Sequence, residues 1–419
     1  MIDDIIYDKK FQDTLKQIAT SHKLDIAEVQ RDASKYIKEL YAEQNPITKM
    51  VAVRGFDYML SRAYYEKIDV DPKGIKKLMK LMRQHPVAFI LTHKTYLDTL
   101  VLISTLARYG MPVPYSFGGI NLAFPVLKQI VKNAGIIFIR RSFKDNPVYK
   151  VALRHYIASI ITKGEHLTWN IEGTRSRTGK ILHPQMGILK YIMDAEQESS
   201  RDVKYVPVSI AYDLIPDVKE MTEQVRGSKK KSENISEGIK YFRSLGSDYG
   251  RAAIRFGDPV EINETHNVLV PQLDEDSYKS KNTLPYFAFD LINQMSKITP
   301  VSTVSIICNV LLNDFAQTKK QIEFKVRKLM EYIGKKQEDC LIDRGNAVAV
   351  SIQKALNLLQ GAHIVQKSRA GQKAQYSIIP SEYLTATYYA NMVAGHLYHK
   401  AFVEMALVKI KDDNSTSRI

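Results

Sequence analysis

The residues best suited to chemistry begin with His93 and Asp98 in the run THKTYLD. Five positions apart, they would point about 140° from each other on one ideal helix. A strand–helix junction suits them better, with His93 in the loop at a strand end and Asp98 in the first helical turn, facing back. A carboxylate on one imidazole nitrogen fixes the tautomer and stabilises the imidazolium, which leaves the other nitrogen to take a proton. No serine elbow or cysteine nucleophile stands nearby, so such a base would act directly on a substrate hydroxyl. A purely structural reading is also open, because Thr95 and Asp98 have the spacing of a capping box.

Two further clusters could grip an anion. Arg140 and Arg141 directly follow the apolar run GIIFI, so at least one guanidinium stands at the end of a buried strand. The pair could clamp a phosphate bidentately, or it could pair with an acidic neighbour such as Asp145. The stretch WNIEGTRSRTGKI resembles a nucleotide-binding P-loop only superficially. Gly173 and Gly179 are one residue too far apart for that motif, and Ile181 replaces the magnesium-binding hydroxyl. A carboxylate, Glu172, followed by Arg175 and Arg177 at a strand end is what remains.

The elements that must position these groups are legible from periodicity. Residues 1–85 carry an apolar period near that of a helix. Within them Lys73, Lys76, Lys77, Lys80 and Arg83 share one arc, opposite Ile75, Leu78, Met79 and Met82. This is either a basic amphipathic helix resting on anionic lipid or a surface helix with its apolar side in the core. From Pro86 the texture changes to short β-rich runs at 87–91, 135–139, 166–171, 204–212 and 252–256, with helical patterns between the earlier ones. Strands alternating with helices predict an α/β sheet with parallel pairs over 86–265, and ligands in such sheets sit beyond the carboxyl ends of the strands. Residues 220–250 are polar, basic and punctuated by Gly and Ser. The region 266–419 reads as mostly helical, with one hairpin near AHIVQKSRAGQKAQYSII.

The chain of 419 residues, 45% hydrophobic and 25% charged, has an ordinary globular composition. Sixty basic against 45 acidic residues give +15, which suggests an acidic partner: nucleic acid, an anionic membrane surface or a phosphorylated substrate. Two cysteines without metal-ligand spacing make a reducing cytosolic setting the default. The acidic start MIDDIIYDKKFQD lacks the apolar core of a signal peptide, and no run of about 18 apolar residues predicts a transmembrane helix.

The order HKTYLD, GIIFIRRSF, IEGTRSRTGKIL, VPVSIAYD resembles the four ordered blocks of the glycerolipid acyltransferases. It is most similar to the glycerol-3-phosphate and dihydroxyacetone-phosphate branch, on account of FIRRSF, SRTGK, the later QVRGSKKK and FGDPV, and YYAN near the C-terminus. The resemblance covers about 86–265 closely and the helical flanks loosely. It implies a mixed, largely parallel sheet flanked by helices, with helical N- and C-terminal regions (1–85 and 266–419). It implies that His93 is the general base and Asp98 its orienter. It further implies that Phe138, Ile139, Arg141, Glu172, Gly173, Arg175 and Ser176 form the glycerol 3-phosphate site, with Arg141 and Arg175 on the phosphate and Pro207 shaping the pocket. The acyl donor would be acyl-CoA or acyl carrier protein, with no metal or nucleotide required. Three positions in two blocks depart from the family pattern: Lys94-Thr95 stand where Arg-Ser is usual, and Thr174 stands where a second glycine is common.

The resemblance also implies a phospholipid-synthesising enzyme peripheral to the cytoplasmic face of a membrane, for which the basic stripe at 73–83 and Lys229–Lys231 supply charge. Dihydroxyacetone phosphate or a lysophospholipid is the alternative acceptor. A basic nucleic-acid-binding protein is the remote alternative. It would interleave exposed aromatics with its basic residues, and neither a helix-turn-helix nor an RNP-like pattern is visible.

Overall fold

The computed structural model describes residues 2–64, 68–119, 132–140, 143, 145–228, 235–261, 275–337, 340–342, 348–370 and 373–416. Arg141 and Lys229–Lys231, singled out from the sequence, lie outside the described residues.

Four helices open the chain: α1 (Ile2–Ile6), α2 (Lys9–His22), α3 (Ile26–Leu40) and α4 (Pro46–Ala63). α5 (Pro72–Gln84) follows, then α6 (Asp98–Arg108) and α7 (Pro147–Thr162) inside the sheet region. α4, α5 and α7 share one starting device. Proline occupies the first helical turn, where its missing N–H costs nothing, and the preceding Asn45, Asp71 or Asn146 accepts from the free amides.

Seven strands build the sheet: β1 (Asp69–Val70), β2 (Val87–Leu91), β3 (Tyr115–Gly119), β4 (Ile136–Ile139), β5 (Leu167–Asn170), β6 (Lys204–Tyr212) and β7 (Ala252–Phe256). Their spatial order is β1-β7-β6-β2-β5-β3-β4. Every neighbouring pair is parallel except β6 and β7. The sheet is therefore mixed and largely parallel, as expected. β3 escapes sequence reading because YSFGG has no apolar run and ends in two glycines. β1 is too short to show a period.

β2 lies at the centre and is buried along its whole length. Its alternation divides two cores. Val87, Phe89 and Leu91 belong to one cluster, which also takes in α6 and much of the C-terminal region, including Val304, Ile307 and Tyr389. Ala88 and Ile90 belong to the other, with α2, α3, α7 and α8 (Met186–Ser199). Helix α11 (Glu275–Ile298) places Phe287, Leu291 and Met295 in this second core, while α12 (Thr303–Asn313) packs in the first. The hairpin expected in the C-terminal region pairs Val365–Ala370 with Lys373–Ile378.

α5 carries Lys73, Lys76, Lys77, Lys80 and Arg83 on its exposed side, while Ile75, Leu78 and Met82 are buried. The apolar face of this helix therefore belongs to the protein core, which leaves only charge to meet a membrane.

Candidate active site

The central strands β2 and β5 run parallel with Leu91 opposite Asn170, so both chains leave the sheet at the same level. The residues just beyond, 92–98 and 171–182, are laced together by the backbone. Ser176 N donates to His93 O at 2.8 Å, and the Asn170 side chain donates to Thr92 O at 2.8 Å. The juxtaposition brings His93, Asp98, Glu172 and Arg175 to one end of the sheet.

His93 stands in the loop and Asp98 opens α6, with Nδ1 of the imidazole 3.2 Å from Asp98 Oδ2. The same oxygen accepts from the backbone N–H of Lys94 at 2.7 Å and of Thr95 at 3.0 Å. The other oxygen accepts from Tyr212 Oη at 2.8 Å. A carboxylate only accepts, so in the neutral imidazole this contact selects the Nδ1–H tautomer and makes Nε2 the proton acceptor. Half of the capping-box reading is present as well, because Asp98 reaches back to Thr95 N. The Thr95 hydroxyl turns instead to Asp217, at 2.7 Å.

Beside the imidazole lies a cavity of about 700 Å³, walled by His93, Thr95, Tyr96, Phe117 to Gly119, Ile139, Gly173, Thr174 and Tyr191, among others. Four cations line it: Arg140, Lys150, Arg175 and Arg177. Two of them are committed. Arg140 makes a bidentate pair with Glu39 of α3, at 2.7 and 2.5 Å, rather than meeting Asp145. Arg175, 4% exposed, is paired with Asp217 at 2.5 Å, donates to Tyr96 Oη at 2.8 Å and stacks on that ring. Among the described residues neither Lys150 nor Arg177 forms an ion pair. Burial, and then the neighbouring Arg175, hold the Arg177 guanidinium below its ordinary pKa. Crowded positive charge of this kind is what an incoming anion relieves.

The other residues expected at the substrate are placed as follows. Ile139 and Gly173 line the cavity; Phe138, Glu172, Ser176 and Pro207 do not. Glu172 is buried, and both of its oxygens are taken by backbone amides, Oε1 by His93 N at 2.7 Å and Oε2 by Leu182 N at 2.9 Å. Burial raises its pKa, opposed by Lys94 and those two amides. Ser176 is fully buried and donates to Lys180 O at 2.7 Å. Pro207 lies inside β6 opposite Ile90, and its ring faces Gly257. Phe138 is buried in β4. Gly179 serves the packing of its own turn. It has φ +80°, and a Cβ there would stand 2.0 Å from the Tyr388 carbonyl. The glycine lets the turn press against α15 (Tyr383–Asn391).

Sequence reading missed four residues of this constellation: Tyr212 and Asp217, which hold Asp98 and Arg175, Tyr96, which carries the Arg175 guanidinium, and Glu39. Tyr212 sits at the end of the VPVSIAYD block and Asp217 just beyond it, so position relative to the strand end was the only available signal. For Glu39 there was none.

Residues 73–211 match the family described as Acyltransferase, and residues 221–419 match the Glycerol-3-phosphate acyltransferase C-terminal region. The "Putative acyltransferase plsB1" of Mycobacterium tuberculosis is 30% identical over 411 residues, covering 98% of this chain and 65% of that protein. The "Glycerol-3-phosphate acyltransferase" of Shewanella pealeana is 28% identical over 333 residues, covering 76% of this chain and 41% of that protein. The chain thus spans about two thirds or less of these relatives' own length. Among solved structures, the 1-acyl-sn-glycerophosphate (LPA) acyltransferase PlsC of Thermotoga maritima aligns at TM-score 0.35 and 14% identity, over 70% of this chain and 95% of that one. With two family matches following one another along most of its length, the chain belongs to the glycerolipid acyltransferase family.

Proposed function

We propose that the protein is a glycerol-3-phosphate 1-O-acyltransferase, transferring a fatty acyl group from acyl-CoA or acyl carrier protein to glycerol 3-phosphate to give lysophosphatidate. The observation that carries the reading is the His93–Asp98 pair beside a cavity lined by cations. In this reaction His93 Nε2 takes the proton from the acceptor hydroxyl as its oxygen attacks the thioester carbonyl. The C–S bond then breaks, and the proton passes from the imidazolium to the departing thiolate. Asp98, still ionised, stabilises the imidazolium between the two steps.

The phosphate is met by Arg177 and Lys150, the cations without a carboxylate partner, together with Arg141. Arg175, fixed by Asp217, supplies further positive potential and orients Tyr96. Glu172 and Ser176 act on the substrate indirectly, by fixing the loops that carry His93 and Arg175. Dihydroxyacetone phosphate and lysophosphatidate are the competing acceptors, since each also carries a phosphate.

The enzyme works at an anionic membrane surface, on the cytoplasmic face. No helix of the described residues is long and apolar enough to cross a membrane. The reading draws instead on the net charge of +15 and on α16 (Ala394–Thr416), which exposes Phe402, Val403, Met405, Leu407, Val408 and Ile410.

The test offers labelled palmitoyl-CoA with glycerol 3-phosphate, dihydroxyacetone phosphate and lysophosphatidate in parallel, to the wild type and to His93→Ala. Preference for glycerol 3-phosphate and a loss of about 10²-fold or more in the variant are expected. Preference for another acceptor would replace the assignment, and substantial turnover by His93→Ala would remove the general base. Failure to sediment with anionic liposomes at low salt would count against the membrane surface.

A further inference from the structure

A second cavity, of about 330 Å³, lies behind the catalytic loop. It is enclosed by the turn at Gly179 to Ile181, by α11 and by the junction of α15 and α16. The two cavities share the loop but not its side chains. His93 and Thr95 face the first, and the intervening Lys94 lines the second.

Lys94 is 1% exposed, and its ammonium has one hydrogen-bond acceptor among the described residues, the Gly179 carbonyl at 3.3 Å. An ammonium carries three donors, and leaving them unmet in a buried site is costly. Burial holds the Lys94 ammonium below its ordinary pKa, against the opposing charges of Glu172 and Asp98, and the oxygens of both carboxylates meet other donors. The remaining donors therefore have only the cavity to serve. No Asp or Glu lines it. Lys180 stands exposed on its wall, and His396 and Asn293 line it as well. Phe289 and Tyr398, 46% exposed each, form its apolar lining at the surface.

We propose that this cavity is an anion site for a phosphate monoester, separate from the acceptor cleft, with Lys94 at its floor and Lys180 on its wall. The occupant is a free phosphorylated metabolite or the headgroup of a phosphate-bearing lipid whose apolar part leaves past Phe289 and Tyr398. Binding there gives Lys94 the acceptors it lacks. Because Lys94 adjoins His93 and its own amide caps Asp98, occupancy stiffens the catalytic loop. The site rests on its own geometry and stands whether or not glycerol 3-phosphate is the acceptor in the cleft.

The experiment is calorimetric titration of the full chain with inorganic phosphate and, in a second arm, with short-chain lysophosphatidate below its micellar concentration. The wild type is compared with Lys94→Met, Asn293→Asp and Arg177→Ala. A phosphate-binding event weakened about tenfold or more by Lys94→Met and by Asn293→Asp, but kept in Arg177→Ala, is the expected result. Asn293→Asp puts a negative charge on the wall without touching the catalytic loop, so it reads the site even where Lys94→Met disturbs folding. Comparable affinity in both arms identifies a free phosphate, and binding restricted to the lysolipid identifies a headgroup. Phosphate binding that survives both cavity variants, or that is lost only in Arg177→Ala, overturns the proposal.

Discussion

Replacing Glu172 by glutamine turns one of two carboxylate acceptors into an amide donor and removes a buried charge. In the wild type Oε1 holds His93 N at 2.7 Å and Oε2 holds Leu182 N at 2.9 Å, so the side chain ties the catalytic loop to the 173–182 turn. The glutamine amide must face one of these N–H groups, leaving a buried donor unmet at about 1–3 kcal/mol, and the surviving bond loses its charge assistance, about another 1 kcal/mol. Relief of the buried charge returns part of this, so a net loss of about 2–3 kcal/mol is expected. At about 2.1 cal/mol/K per residue, the unfolding entropy of 419 residues is about 0.9 kcal/mol/K, which makes the expected fall in Tm about 3 °C. The freed His93 amide lets the imidazole drift, so kcat falls about tenfold or more while KM for the phosphorylated acceptor stays within about twofold. Scanning calorimetry and steady-state kinetics on the same preparation decide the matter. An unchanged Tm with a raised acceptor KM and intact kcat would mean that the carboxylate meets the substrate, and the staple would be refuted.

Asp98→Asn keeps acceptors for the Lys94 and Thr95 amides but loses the charge that stabilises the imidazolium, so kcat should drop by about 10²–10⁴. Tyr212→Phe removes a single donor to Asp98 and should cost about 1.5–3 kcal/mol of stability with less than about tenfold in kcat. Equal effects of the two variants on kcat would deny Asp98 its electrostatic role. Arg177→Ala should raise KM for the phosphorylated acceptor about tenfold with little change in Tm. Arg175→Ala should also destabilise by about 3–5 kcal/mol, because Asp217 is left buried without its partner; a stable Arg175→Ala protein would contradict this pairing. Burial pushes the His166 imidazole down to about 4, from an ordinary value of 6.5, while Nδ1 accepts from Val87 N. Above pH 6.5 both states are neutral. As pH falls from 6.5 to 4 the unfolded chain takes up the proton first, so up to about 3 kcal/mol of stability is lost across that window. Denaturant titrations between pH 7 and 4 should show this loss, and His166→Asn should flatten it; an identical slope in the variant would assign the loss elsewhere.

The strands at 87–91, 204–212 and 252–256 were legible because runs of β-branched and aromatic residues bounded by turn signals have few other folds open to them. The order of the sheet was not legible, since pairing between strands far apart in sequence leaves no local trace. β3 was missed because two of its five residues are glycine and only Tyr115 and Phe117 carry an apolar signal, too short a pattern to show a period. In the candidate site, His93 and Asp98 could be read because their interaction is local, across one strand–helix junction. What they touch beyond that could not. Tyr212 reaches Asp98 from 114 positions away, and Asp217 reaches Arg175 from 42. Glu172 and Arg175 were correctly located at a strand end by their sequence context, and there the sequence stopped. Residue type alone does not say whether a carboxylate or guanidinium faces a ligand or another part of the chain. Only tertiary packing decided that Glu172 would be consumed by two backbone amides, that Arg175 would be held by Asp217, and that Lys94, one residue from the imidazole, would turn away from the cleft into a second cavity.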